Sequence, residues 1–273
     1  MSKQTTDRPL ERATREQIKT VAVDAARRAG VILSEYARNG FRVEHKDALN
    51  LVTDADTHSE QAIVETIGRT FPDHAILAEE RGRAGGTSAY KWIIDPLDGT
   101  TNFAHGFPAY AVSIGVEYQG RCILGVVLDP TRQELFVAEA GGGATLNDTP
   151  IHVSRTPKLD GALLVTGFAY DIRVSKRNNL DHFAKFAVRA QGLRRMGAAA
   201  IDLCYVACGR FDGFWELKLN PWDTAAGSLM VSEAGGRMSD FAGGPFSIYG
   251  LELVASNGTI HDEMVEVLTR PSV

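Results

Sequence analysis

The stretch from Trp92 to Phe103, WIIDPLDGTTNF, decides how the chain is read. A short apolar strand, Trp92-Ile93-Ile94, runs straight into Asp95, Pro96, Leu97, Asp98 and Gly99, and then into two threonines. A turn uses Asp and Gly, but it has no need of two carboxylates three residues apart. Gly99 carries no side chain, so the backbone can approach a ligand there. The amides of Gly99, Thr100 and Thr101 are consecutive donors, and they favour an anion wherever a turn or helix begins. The Thr100 hydroxyl adds a donor and an acceptor. One short segment thus offers acids on one side and an anion cradle on the other. A plain Asp-Gly turn accounts for Asp98 and Gly99 but leaves Asp95 and the threonine pair without a reason.

Outward from this stretch, three further segments end or begin in acids: Asp54 and Asp56 in LNLVTDAD, Glu79 and Glu80 in AILAEE, and Asp223 in PWDTAAGSLMVSEAGG. Strand ends are where open α/β sheets place their ligands. Carboxylates gathered there repel by several kcal/mol (order of magnitude) unless protons or cations bridge them. All-oxygen ligands select hard cations, which points to Mg²⁺. Singly, each acid reads as a cap or turn residue. Four such sites beside a Gly-Thr-Thr cradle read as a place for a cation and a phosphate.

Apolar residues at Ile18, Val21, Ala25, Ala29 and Ile32 or Leu33 predict a helix from Leu10 to about Tyr36, ending near Asn39-Gly40. THSEQAIVETIGRTF predicts a second, opened by Asp56 or Thr57 with Glu60 closing a capping box on Thr57. Strands are expected at AILAEE, YKWIIDPL, AYAVSIGVEY, RCILGVVLDP and ELFVAEA, with hairpins at Gln119-Gly120 and around Asp129-Pro130. GGGATLNDTPIHVS reads as a turn-rich connection and ALLVTGF as a strand. Helices are expected from Ser175 to Gln191 and from Ala198 to Gly209, followed by a strand at DGFWEL. A further helix is opened by Trp222 or Asp223 and closed by Gly235-Gly236. A strand at LELVASN and a helix at IHDEMVEVLT complete the chain. Strands and helices come in blocks rather than in a strict βαβ rhythm, which predicts layered α/β sheets with helices between or outside them. Residues 1–9 read as a disordered tail and 10–273 as one domain, with a soft division near 149–158.

The composition, 44% hydrophobic and 23% charged over 273 residues, is that of a globular chain. A net charge of -5 disfavours wrapping nucleic acid by phosphate neutralisation. Cys122, Cys204 and Cys208 fit no zinc spacing and read as reduced thiols of a cytoplasmic protein. The polar start shows no signal-peptide pattern, and no apolar run approaches the ~20 residues of a membrane span. The seven histidines are scattered without a two-histidine metal spacing; His105, close behind the Gly-Thr-Thr segment, is the one placed to take part. GGGATLN lacks the setting of a nucleotide loop.

WIIDPLDGTTNF and PWDTAAGSLMVSEAGG resemble the two signatures of the inositol monophosphatase family. LVTDAD, ILAEE and LRRMGAAAIDLCYVACGRFDGFWELKLNPWD resemble further family blocks in the expected order, so the resemblance runs from about Val23 to about Leu268. The arginine pair in LRRMG is similar to the bacterial inositol-1-monophosphatase branch. The resemblance implies an αβαβα sandwich of the inositol monophosphatase and fructose-1,6-bisphosphatase type, and hydrolysis of a phosphate monoester by metal-activated water with two to three Mg²⁺. It implies that Glu79, Asp95 and the Leu97 carbonyl hold a first metal, that Asp95, Asp98 and Asp223 hold a second, and that Glu79 helps hold a third. Asp98, Gly99 and Thr100 would contact the phosphate. Asp56, paired with Thr100, would orient and deprotonate the water. Glu216, Asp223 and the backbone near Ala199 would meet substrate hydroxyls. A homodimer and lithium sensitivity are implied as well. The substrate expected is inositol 1-phosphate; fructose 1,6-bisphosphate, a 3'-phosphoadenosine-type bisphosphate and histidinol phosphate are the alternatives. A reading of another class, a partner of RNA polymerase, is carried by bacterial relatives. Asp54 is read as a cap or exposed, Glu80 as supporting or exposed, and Lys46 as facing the site or solvated. Arg194 and Arg195 would bind an anionic substrate or pair at a subunit interface, and Trp215 is expected to pack.

Overall fold

The computed structural model describes residues 9–46 and 49–270, with side chains from residue 14 onward. The expected tail lies outside the described residues as far as residue 8, and Pro9 already opens the first helix. In chain order, α1 (Pro9–Asn39) leads to a small hairpin, β1 (Val43–His45) and β2 (Leu51–Thr53), and then to α2 (Asp54–Thr70). An eight-stranded sheet follows, made of β3 (Ala75–Ala78), β4 (Gly82–Ala84), β5 (Tyr90–Asp98), β6 (Ala111–Tyr118), β7 (Arg121–Asp129), β8 (Glu134–Glu139), β9 (Gly143–Leu146) and β10 (Thr149–Pro150). The short α3 (Thr100–Ala104) lies between β5 and β6. The second half comprises β11 (Leu163–Thr166), α4 (Leu180–Ala187), β12 (Gly192–Arg194), α5 (Ala199–Ala207), β13 (Gly213–Leu217), α6 (Pro221–Glu233), β14 (Arg237–Ser239), β15 (Glu252–Ser256) and α7 (His261–Thr269).

The large sheet runs β10-β9-β8-β7-β6-β5-β3-β4, antiparallel except where β3 meets β5. The small sheet runs β12-β11-β13-β15-β14. Helices α1 and α2 cover one face of the large sheet. Ile18, Ala22, Ala25, Ala29 and Leu33 recur at helical spacing and are buried with Trp92, Ile94, Val112 and Ile114. Helices α5 and α6 fill the space between the two sheets, in a core that includes Val127, Leu203, Phe214 and Met230. Helices α4 and α7 close the far side, where Phe186 packs on Trp215 with ring centroids 4.1 Å apart. Trp215 is a packing residue, as expected. The layers are α, β, α, β, α.

Two glycines set the depth of the middle layer. Gly115 of β6 and Gly125 of β7 face each other across the ladder. A Cβ on Gly115 would lie 2.7 Å from the Cβ of Ala225, and one on Gly125 would lie 2.6 Å from the Ala226 carbonyl. Helix α6 therefore rests directly on the backbone of the sheet. Its first turn, carrying Asp223, is brought against the end of β5.

Several expectations about local structure need correction. Helix α2 starts at Asp54, because Thr53 is the cap: its hydroxyl accepts from the Ala55 and Asp56 amides at 3.2 and 3.4 Å. Asp56 closes the capping box by accepting from the Thr53 amide at 2.7 Å. Glu60 is not a capping partner. It turns inward, where its carboxylate accepts from the Glu80 amide at 2.8 Å and pairs with Arg81. Helix α6 is capped by Asn220, with Asp223 at its third position accepting from the Asn220 amide at 2.6 Å. The turn-rich segment after Glu139 contributes two short strands, β9 and β10. Helix α4 begins later than expected. Asn179 before it is buried at φ +71, donating to Gly167 and Thr166 and accepting from the Trp215 indole, so no helix can run through it.

Candidate active site

The ladder between β5 and β6 pairs Asp95 with Ser113 and Asp98 with Ala111, so one extra residue sits in β5. Side chains alternate faces along a strand, and residues three apart normally point opposite ways. The bulge turns Asp95 and Asp98 toward one pocket, a common use of bulges beside functional sites. Both carboxylates are buried. Asp98 is gripped by the first turn of α5, accepting from the Ala199 amide at 3.2 Å and the Ala200 amide at 2.7 Å. Gly99 then adopts φ +92, and a Cβ there would lie 2.9 Å from the Ala109 carbonyl, so only glycine fits. The chain enters α3 with the Gly99, Thr100 and Thr101 amides at its start.

Glu79, directly after β3, is placed by its amide bond to the Ile94 carbonyl (3.2 Å). Asp95 stands within hydrogen-bonding reach of both Glu79 and Asp223. Burial and the charges of Glu79, Asp98 and Asp223 push the Asp95 carboxyl far above the usual range. Asp223 is raised in the same way by burial and by Asp98, against the Asn220 amide. Asp98 is pushed up to about 7 by burial, against the α5 amides. Glu79 is raised by burial and held back by Lys46, whose ammonium lies 3.1 Å from Glu79 and 2.5 Å from Glu80. Lys46 therefore faces the site, and Glu80 supports it.

The donor set is one that a hard dication fits. Carboxylates in contact with each other are stable only with a proton or a cation between them. Among the described residues no three His, Cys, Asp or Glu side chains are already gathered into a metal shell. Oxygen donors of this kind suit a hard cation such as Mg²⁺, which keeps waters of its own. The Leu97 carbonyl, 3.1 Å from the Thr100 hydroxyl oxygen, lies in the same corner.

Asp56 lies behind Thr100, fully buried. It accepts from the Thr100 hydroxyl at 3.1 Å and from the Thr53 hydroxyl at 2.6 Å. Burial pushes it up to about 6, with the Thr53 bonds opposing. Thr100 is thus the only one of the pair that lines the pocket. Asp54 is the first residue of α2, with its carbonyl bonded to His58.

The pocket encloses about 330 Å³. Its far wall carries Glu216 at the end of β13, pushed up to about 8 by burial and by Asp223, with Arg195 opposing. Gly167 makes room for it: a Cβ there would sit 2.2 Å from the Glu216 carboxylate. Ala199 lines the pocket, with its amide already given to Asp98. Arg195 lines it too, and Arg194 and His105 are exposed elsewhere. Sequence reasoning missed Tyr170 and Lys218. Tyr170 is half-exposed at the pocket rim, and its hydroxyl, at the inner end of the ring, is raised by burial there and by Glu79, Asp223, Asp98 and Asp95. Lys218 sits at φ +63 and ties the 171–175 segment to the pocket by bonds to Asp171 (2.5 Å) and Ser175 (2.8 Å). A positive φ on lysine leaves no mark in the sequence.

Five alternating layers thus bring the buried acids and the Gly99–Thr101 turn to one pocket. The chain belongs to the inositol monophosphatase family, whose sequence model matches residues 14–270. It is 49% identical over 261 residues to an inositol-1-monophosphatase of Synechocystis sp., covering 95% of this chain and 90% of the relative. It is 46% identical to the Nus factor SuhB of Pseudomonas aeruginosa, covering 87% of this chain and 90% of that one. Its fold matches the solved structure of inositol monophosphatase from Anabaena (Nostoc) sp. with a TM-score of 0.87 at 43% identity, over 95% of this chain and 98% of the other.

Proposed function

We propose that residues 10–273 act as one Mg²⁺-dependent phosphatase unit that releases phosphate from a polyol monoester, with inositol 1-phosphate as the preferred substrate. The observation that carries this is the convergence of Glu79, Asp95, Asp98 and Asp223 on the pocket that also holds the Gly99–Thr101 cradle. Glu79, Asp95 and the Leu97 carbonyl would hold one ion, and Asp95, Asp98 and Asp223 a second, with Glu79 assisting a third. Bound Mg²⁺ would neutralise phosphate charge and make the attacking water more acidic.

The remaining work falls to the chain. The Gly99 and Thr100 amides orient the phosphoryl group, and positioning with charge neutralisation is most of what phosphoryl transfer requires. The Thr100 hydroxyl, donating to Asp56, leaves its lone pairs to accept from the water. The proton passes by way of Thr100 to Asp56, whose value of about 6 suits a base working near neutral pH. Glu216, opposite the acids, bonds hydroxyls of the leaving group. The free thiols Cys122, Cys204 and Cys208 support a reducing, cytoplasmic setting.

Phosphate release from inositol 1-phosphate, fructose 1,6-bisphosphate, 3'-phosphoadenosine 5'-phosphate and histidinol phosphate tests this. Highest kcat/KM on the inositol ester is expected; a clear preference for another ester would reassign the substrate. A second reading, association with RNA polymerase, is favoured by the similarity to proteins named Nus factor SuhB. Retention of the polymerase on the immobilised chain would support it, and no retention would remove it.

A further inference from the structure

Within DGTTNF, the Asn102 side chain, in α3, is the one that ties the segment to distant backbone. Its amide nitrogen donates to the Ala109 carbonyl at 2.7 Å and to the Met196 carbonyl at 2.8 Å, with the Gly197 carbonyl at 3.4 Å. Those acceptors come from two segments, the approach to β6 seven residues on and the approach to α5, 94 and 95 residues on. Both segments close on Gly99. A Cβ there would lie 2.9 Å from the Ala109 carbonyl and 3.3 Å from the Gly197 carbonyl. Two of the three oxygens that Asn102 engages are therefore the ones crowding the first residue of the anion cradle.

Carbonyl oxygens beside an anion site oppose the anion unless their lone pairs are spent on donors. Asn102 gives one N–H to the Ala109 carbonyl and the other to the Met196 carbonyl, with the Gly197 carbonyl a weaker, shared acceptor at 3.4 Å. It also fixes residues 196–197 against α3, and two residues further on the Ala199 and Ala200 amides grip Asp98. One side chain therefore controls the charge around the cradle and its distance from the α5 terminus. Gly197 shares the arrangement: it sits at φ +83, and a Cβ there would lie 3.3 Å from the Asn102 amide.

We propose that Asn102 is a positioning residue that neutralises the Ala109 carbonyl beside Gly99 and, through Met196, clamps the phosphate cradle to the first turn of α5, thereby setting affinity for the phosphoryl group. This rests on the phosphatase reading of the pocket.

The test compares wild type with Asn102→Ala and Asn102→Asp, using the KM for the ester, inhibition by inorganic phosphate, and direct calorimetric binding of inorganic phosphate with Mg²⁺. Losing two part-buried donors raises KM and the phosphate dissociation constant about tenfold in the Ala variant, with kcat changed less. The Asp variant is worse than Ala, because it turns an oxygen toward the carbonyls in the same volume. A packing role gives the opposite order, since Asp is the closer isostere, and it lowers melting temperature without moving KM. Equal phosphate binding in all three proteins, or Asp outperforming Ala, overturns the proposal. If either variant fails to fold, Gly197→Ala disturbs the same junction from the other side, and unchanged phosphate binding there overturns it as well. Wild type that binds phosphate but releases none from any ester removes the phosphatase reading alone, and the binding ratios still decide the clamp. Wild type that binds no phosphate removes both.

Discussion

Asp56→Asn should stabilise the protein while it disables it. Asp56 is fully buried, and burial raises it from an ordinary 3.8 to about 6. At about 1.4 kcal/mol per tenfold, holding it ionised in the folded state costs roughly 3 kcal/mol at pH 8. An amide removes that cost. It also turns one donor toward Thr53 or Thr100, which forfeits a hydrogen bond worth about 1 kcal/mol. The net gain is about 2 kcal/mol, or roughly 4–8 °C in melting temperature for a chain of this size. The sign follows from the raised folded value: wild type loses stability as pH climbs from 3.8 to about 6 and loses no more above it. The gain is therefore full at pH 8 and falls to roughly 0.6 kcal/mol at pH 5, where the cost of ionisation is about half as large. Loss of the proton acceptor should lower kcat by about 10²–10⁴. Thermal melts from pH 5 to 8 without divalent cations, beside phosphate release, read both effects. A variant that melts lower than wild type at pH 8 would refute the reasoning, because Asp56 would then be a brace for the α2 cap rather than a strained base.

Three further outcomes are expected. Gly125→Ala places a Cβ 2.6 Å from the Ala226 carbonyl, so α6 must lift; stability should fall by about 1–3 kcal/mol by chemical denaturation, and activity should fall with it through Asp223. Thr53→Ala removes the cap of α2 and should cost about 1 kcal/mol in the same measurement, with unchanged stability arguing against the capping box. Glu216→Gln should raise KM for inositol 1-phosphate while leaving a simple aryl phosphate unaffected; equal changes on both would separate Glu216 from leaving-group recognition.

The parts of this molecule that were legible in the sequence are those where local pattern and burial agree. The α1 stripe from Ile18 to Leu33, the apolar run into Asp95, and the acids at the ends of β3 and β5 could be read because each element alone shows its face. Helix α6 was legible from its apolar content and closing glycines, although its start was misplaced: Asn220 and Asp223 cap reciprocally, and either could be taken for the cap. Strands β1, β4, β12 and β14 are three residues long and at sheet edges, too short to show a period. The late start of α4 depends on Asn179 reaching Trp215, thirty-six positions away. Tyr170, Lys218 and Asn102 owe their places to partners far along the chain. Glu60 was misread because its partners, Glu80 and Arg81, come from another element, whereas Thr57 is only a local neighbour.

The most direct measurement is phosphate release from inositol 1-phosphate with and without Mg²⁺, in wild type and in Asp98→Asn, with folding of both checked by thermal melt. Release that requires Mg²⁺ and drops by at least about 10²-fold in the variant is the predicted result. Release that proceeds equally without the cation, or survives in a folded Asp98→Asn protein, would contradict the role given to the buried acids.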